Sequence, residues 1–405
     1  MVLSITVLRA LSTYATMGTF QGLSKKENTD MKRLRFTSCM AFLVNGMLAV
    51  MTGTIITYLV RDYGISQAAA GRMVAAQSIG NLIMVLLSGF IIQLIGRKKS
   101  LLLFPILFTV GFGGIAFVNN EFALYILMAL TGLGWGLCNN ILNIIMMESG
   151  GGISTLYTCY AAGSFLGPFF VVAVTGFGLS WKAAVISVAV LSLALLPGFA
   201  GVKTSSAAQA GEKLSRKDFA FLKSPRYYIC NILYFGYIGV EVAVNSWIIT
   251  YLTQSGLLSE KMAQTMFSVF WLIIIFIRLF VGACMKRFDR ANLLICQWIG
   301  LAAALTALIL CDISIVSVVI LVIMAVFMAA ISPVNAENAD EFIKGKGISG
   351  GIMFAVGCVG STILPMIVGS LADSAGITAG MWVIAGVMYT MIAVCIVNIA
   401  MKRRG

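Results

Sequence analysis

Glu241 and Arg278 are the ionisable residues that stand deep inside long apolar stretches of this 405-residue chain, Glu241 within 227–252 and Arg278 within 262–284. An ionisable group in hydrocarbon costs about 2.5–3.5 kcal/mol on insertion scales, so by default it marks a path for a solute or an ion. Tyr234, Tyr237, Glu241 and Asn245 recur at helical spacing and share one face. A carboxylate on that face, turned to a water-filled cavity, can accept hydrogens from sugar hydroxyls or carry a proton. The plain alternative is that Glu241 only pairs with Arg278 across two neighbouring helices.

A second set carries no charge. Asn139 and Asn143 are four apart, with Trp135 one turn earlier, and Gln77 and Asn81 repeat that spacing; Asn45 sits in the first apolar stretch. An amide offers both donor and acceptor, which suits neutral hydroxyls. The same residues also bind membrane helices together, at about 0.6–2 kcal/mol each. Trp135, Trp247 and Trp271 offer faces for stacking on a ring, although packing is the commoner use of such aromatics. The candidate binding set is therefore Asn45, Gln77, Asn81, Trp135, Asn139, Asn143, Tyr237, Glu241, Asn245 and Trp247. With no His in the chain and the nine Cys lying singly in apolar stretches, neither metal ligation nor a nucleophile–base pair is expected. The residues point to a carrier that needs no cofactor, and away from an enzyme.

Such residues need long helices to hold them. Apolar side chains make up 60% of the chain and charged ones 11%, too little polar material to clothe soluble domains of this length. The chain therefore uses lipid as solvent, and spans of about 20 apolar residues are required. They fall near 37–60, 69–95, 100–118, 122–147, 155–177 and 181–200, then near 227–252, 262–284, 291–310, 314–335, 347–371 and 378–400. The expected architecture is an all-α membrane protein of twelve transmembrane helices in two pseudo-symmetric six-helix bundles. Its parts would be a leader over 1–35, bundles over 36–200 and 227–401, a linker over 201–226 and a basic tail over 402–405.

The net charge of +13 suggests nucleic acid at first sight, but the basic residues cluster at the ends of apolar runs, not on one wettable face. Lys32, Arg33 and Arg35, Arg97 to Lys99, the 201–226 stretch, Lys286 to Arg290 and Lys402 to Arg404 all fall on one side if both ends are cytoplasmic. This is the pattern of a multi-pass plasma-membrane protein in contact with lipid, and a monomer is the expected form, although the pattern does not fix the oligomeric state. Residues 1–30 fit poorly: 2–11 is apolar but too short to span, so 1–30 is either a disordered leader or an over-called start, with Met31 a natural beginning.

The halves repeat. Gly89, Gly96, Arg97, Lys98 and Lys99 close the second span, and Gly282 with Lys286 and Arg287 close the eighth. Gly163 to Pro168 in the fifth span answers Gly357 to Pro365 in the eleventh. On these residues the chain resembles the major facilitator superfamily, whose loop signature runs from Gly89 to the basic cluster, with Gln93 standing where the family usually has Asp. The stretches 234–247, 270–279 and Ala330 to Pro333 resemble its fucose/glucose permease branch, the fucose–galactose–proton symporters. The resemblance implies alternating access, gated by Gly89, Gly96, Arg97, Lys98, Lys99, Arg278, Lys286 and Arg287. That branch carries acids in the first and fourth helices; here they align near Gly53 and at Asn139. Glu241 is left as the group to carry any coupling proton; uniport or another coupling ion is the alternative. The expected cargo is a small polar solute, most simply a sugar or polyol. A drug/proton antiporter, favoured by the 22 Met and 25 Phe, and an organic-anion carrier built on Arg278 are the rivals.

Overall fold

The computed structural model describes residues 25–148, 153–200, 221–284, 288–343 and 347–404. Among these the backbone is helical almost throughout and forms no strand. In hydrocarbon each peptide group must find its partner within its own segment, and a helix does this for every residue but the ends.

In the first half α1 (Lys25–Tyr63), α2 (Gln67–Ile95), α3 (Arg97–Gly114), α4 (Glu121–Glu148) and α5 (Ile153–Gly176) precede a crossing made of two pieces, α6 (Trp181–Leu193) and α7 (Leu196–Ala200). The second half opens with α8 (Pro225–Gln254), α9 (Glu260–Cys284) and α10 (Arg290–Ile309). A second broken crossing follows, α11 (Ser314–Ala329) and α12 (Ile331–Asn338), then the short α13 (Asp340–Ile343), α14 (Gly347–Ala375) and α15 (Ile377–Arg404). By length and composition, 11 of the described helical stretches suffice to cross a membrane. The remaining crossing is α3, which opens on Arg97, Lys98 and Lys99 and keeps only 100–114 as its apolar part. The fold is the expected one: an all-α membrane protein of two six-helix bundles.

Two spans expected as continuous, 181–200 and 314–335, are broken. Pro197 and Pro333 explain both interruptions, because a proline removes its own N–H and crowds the carbonyl four residues back. The first helix also starts earlier than the expected span, at Lys25, inside the segment read as a leader. Residues 1–24, most of the linker, and the gating candidates Lys286 and Arg287 lie outside the described residues. Between α2 and α3 the chain turns at Gly96, whose φ of 84° belongs to the left-handed region that glycine enters without penalty.

Each bundle has its own apolar core. Phe104, Phe108, Phe112, Leu142 and Trp181 anchor the first, and Trp271, Trp298, Leu305 and Met324 the second. The repeated glycines bring helices to backbone contact: a Cβ on Gly163 would lie 1.9 Å from the Leu43 carbonyl, and one on Gly360 2.3 Å from that of Phe235. Val50, Ile56, Ala70 and Val74 of the first bundle are packed into the second core.

The bundles meet where α2 packs on α14, α5 on α9 and α1 on α8. Basic residues such as Arg97 and Lys402 mark one end of the molecule, here the basic face; the turn at 64–66 marks the other, the far face. Thr57 and Thr250 hydroxyls are 3.3 Å apart, Gln264 Nε2 donates to Tyr58 Oη at 3.1 Å, and Arg61 Nη1 meets Glu260 Oε2 at 2.6 Å. These inter-bundle bonds lie toward the far face, so this conformer is closed there.

Candidate functional site

Glu241 projects from the middle of α8 and Arg278 from α9. Arg278 Nη2 stands 3.8 Å from Glu241 Oε1, an ion pair by charge but beyond hydrogen-bond length. The side chains are 18% exposed for Glu241 and 27% for Arg278, so neither is sealed in the core nor locked to the other. Arg278 is held elsewhere: its Nε donates to the Ala329 carbonyl at 3.1 Å. Ala329 lies four residues before Pro333, so its carbonyl has no helix N–H to accept. The proline that breaks the tenth crossing thereby supplies the anchor for the half-buried cation.

Polar groups with spare capacity gather round this pair. Tyr237 is buried beside the Glu241 carboxyl, yet its Oη makes no hydrogen bond of regular geometry. Asn245, one turn further along α8, keeps a buried Oδ1 without a partner. Tyr160 of α5 and Tyr234 of α8 stand near enough to feel the Glu241 charge. Tyr160 belongs to the opposite bundle, and its helix α5 packs against α9, which carries Arg278. A buried polar atom without a partner costs about 1–3 kcal/mol, which water or a solute in the seam would relieve.

In the first bundle Asn45 Nδ2 donates to Asn139 Oδ1 at 3.0 Å, tying α1 to α4. Asn45 Oδ1 and Asn143 Oδ1 are buried and unpartnered. Trp135 packs, partly buried, on the first core. Gln77 and Asn81 are engaged differently: Gln77 Nε2 reaches Thr52 Oγ1 at 3.4 Å, and Asn81 Nδ2 reaches Cys358 Sγ at 3.6 Å in the other bundle. Trp247 is fully buried and donates from Nε1 to the Pro365 carbonyl at 3.1 Å, a bond between α8 and α14 within the second bundle. The structure thus brings together Glu241, Arg278, Tyr237 and Asn245, and separately Asn45 with Asn139, while Gln77, Asn81 and Trp247 serve contacts in this conformer.

Two features were not legible in the sequence. Tyr157 and Tyr160 on α5 were passed over, although they stand just ahead of the Gly163 to Pro168 segment; Tyr157 is half exposed and edge-on to Phe42 at 5.7 Å. Position 53 admits no side chain in this conformer, since a Cβ on Gly53 would lie 1.8 Å from the Asn245 carbonyl. Of the gating candidates, Lys98 and Lys99 are exposed at the start of α3, and Gly89 has open space about it.

A duplicated membrane bundle with a charged pair between its long helices is the architecture of a transporter, not of an enzyme. The chain belongs to the Major Facilitator Superfamily, whose family model matches residues 38–363. A crystal structure of the nucleoside transporter NupG superposes with a TM-score of 0.75 at 16% identity, covering 92% of this chain and 99% of that one. A crystal structure of a D-xylose-proton symporter gives 0.73, also at 16% identity, covering 89% of this chain and 96% of that one. At those identities the likeness speaks for the fold alone. A gallate transporter of Pseudomonas putida is 30% identical over 161 residues, 38% of this chain. The chain thus matches little more than a third, 36%, of that relative's length.

Proposed function

We propose that this transporter moves a small polar, hydroxyl-bearing solute, most simply a sugar or polyol, across the cytoplasmic membrane by alternating access, with Glu241 carrying the coupling proton. The basic face and both chain ends would lie on the cytoplasmic side, where cations are retained. The observation that carries this reading is the mid-seam carboxylate of Glu241, partly exposed and loosely held by Arg278, with Tyr237 Oη short of a regular hydrogen bond and Asn245 Oδ1 unpartnered beside it. A hydroxyl can donate to the amide oxygen while accepting from the phenol, which a purely apolar solute cannot. The resemblance of 234–247 and of Ala330 to Pro333 to the fucose/glucose permeases, and the xylose-proton symporter among the fold neighbours, agree with it.

One observation favours an organic anion as the second reading. Among the described residues the Arg278 guanidinium donates from Nε to the Ala329 carbonyl, and its Nη2 stands 3.8 Å from Glu241 Oε1, beyond hydrogen-bond length. A solute carboxylate would fit there, and the gallate transporter is a relative in part. Thermal-shift titration of the purified protein against sugars and polyols, hydroxylated monocarboxylates and lipophilic cations separates the readings, because a ligand of the folded state raises the melting point. Stabilisation by sugars or polyols is expected. Stabilisation by lipophilic cations alone would replace the proposal with a drug antiporter, and by monocarboxylates alone with an anion carrier.

A further inference from the structure

Helix α2 begins at Gln67 on the far face, and the first four N–H groups of a helix have no partner within it. Two are met locally: Ala69 N donates to Ser66 Oγ at 3.1 Å and Ala70 N to the Ser66 carbonyl at 3.0 Å. The other two are met from the opposite bundle. Gln67 N donates to Asp373 Oδ1 and Ala68 N to Asp373 Oδ2, each at 2.7 Å. Asp373 sits in the last turn of α14. One carboxylate therefore closes the cap of a helix to which it is not joined, and it can do so only while the far side of the seam is shut.

The ground beneath this cap is built for close approach. A Cβ on Gly71 would lie 2.9 Å from the Pro365 carbonyl, and one on Gly369 2.5 Å from that of Gln67. Deeper still, Ser78 Oγ of α2 donates to the Ser361 carbonyl at 3.1 Å, the carbonyl that Pro365 deprives of its helix N–H. Ser361, Pro365, Gly369 and Asp373 follow one another at four-residue steps and form a single stripe of α14 against α2. Carboxylate bonds to a helix N-terminus are charge-assisted and favoured by the helix dipole, so the end of the stripe at Asp373 is its strongest link.

We propose that Asp373 is a gating residue of the transport cycle: as a cap supplied in trans to α2 it holds the far side shut and sets how often the bundles part there. The inference needs only a two-bundle carrier and is independent of which solute moves.

The test reads bundle separation by spin-label distances between Asn119→Cys and Ser314→Cys, one in each bundle near the far face, in full-length protein with its native cysteines replaced. Gln67→Pro and Gln67→Ala form the decisive pair. Both lose the side-chain bond from Gln67 Nε2 to Gln254 Oε1, but only proline also removes the N–H that Asp373 accepts. Proline is well tolerated at the first helical position, and Ser66 before it is already extended, with ψ 155°. Gln67→Pro and Asp373→Ala are each expected to raise the ratio of long to short distances by about tenfold. Gln67→Ala should stay near the parent, and Asp373→Asn should fall between. Identical distributions for Gln67→Pro and Gln67→Ala would overturn the proposal, as would an unshifted distribution for monodisperse Asp373→Ala. Should Asp373→Ala fail to fold, the Gln67 pair decides alone.

Discussion

Arg278 donates from Nε to the carbonyl of Ala329 at 3.1 Å, while its Nη2 stands 3.8 Å from Glu241 Oε1. Pro333 leaves that carbonyl free to accept, because the carbonyl four residues before a proline lacks its helix donor. The backbone at the break between α11 and α12 thus anchors the guanidinium that stands 3.8 Å from Glu241. A carboxylate held this way can exchange a proton or a solute contact without breaking a tight salt bridge.

Pro333→Ala should reverse this. The restored N–H takes the Ala329 carbonyl back into a helix, and Arg278 is freed to pair directly with Glu241. For the solute identified by thermal shift, the half-saturating concentration should rise about tenfold, the scale of one hydrogen bond to a charged group. Initial rates of uptake into proteoliposomes measure it, and an unchanged half-saturation would sever the link between Pro333 and the site.

Gly53→Ala should jam the far side open. The added carbon would lie 1.8 Å from the Asn245 carbonyl, and backbone cannot yield as a flexible side chain can. Transport is expected to drop at least about tenfold while the protein stays folded, since strain of about 1–3 kcal/mol falls on the closed seam and not on either core. Wild-type rates would mean that the seam has slack at this contact.

At the basic face Asp289 caps the start of α10, and its carboxylate accepts from Lys402 of α15 and from the N–H groups of Ala291 and Asn292. The Lys402 ammonium foremost holds its carboxyl below the usual range, against the opposing effect of burial and helped by those N–H groups. Because the folded state lowers this pKa, its stabilising contribution is present above the ordinary carboxylate range and is lost as pH falls through the depressed value. Both side chains are more than a third exposed, 43% and 35%, so Lys402→Ala should cost no more than about 1 kcal/mol at neutral pH. The difference in melting temperature from the parent should vanish in acid. A gap that persists there would show that Lys402 acts by packing.

The crossings were legible in the sequence because hydrocarbon leaves the backbone no choice, so an apolar run near 262–284 becomes α9 whatever its neighbours. The paired prolines, Pro168 and Pro365, were legible as repeats. What Pro333 does was not, since the partner of a freed carbonyl depends on which helix packs beside it. The stripe Tyr234, Tyr237, Glu241 and Asn245 was visible as one face, yet helical spacing does not say which members are sealed; Tyr237 is buried and Tyr234 only partly so. Trp247 carried the same ambiguity, and the Pro365 carbonyl claims its indole. Contacts between bundles, Asp373 with Gln67 above all, join residues that local pattern cannot relate.

The central claim is that Glu241 carries the coupling proton, and Glu241→Gln tests it most directly. In proteoliposomes with an imposed proton gradient, uphill uptake of the solute is measured beside its exchange against preloaded solute in the same preparation. The expected result is loss of uphill uptake with exchange retained, because glutamine keeps the hydrogen bonds but cannot release a proton. Accumulation at the parent level by Glu241→Gln would contradict it.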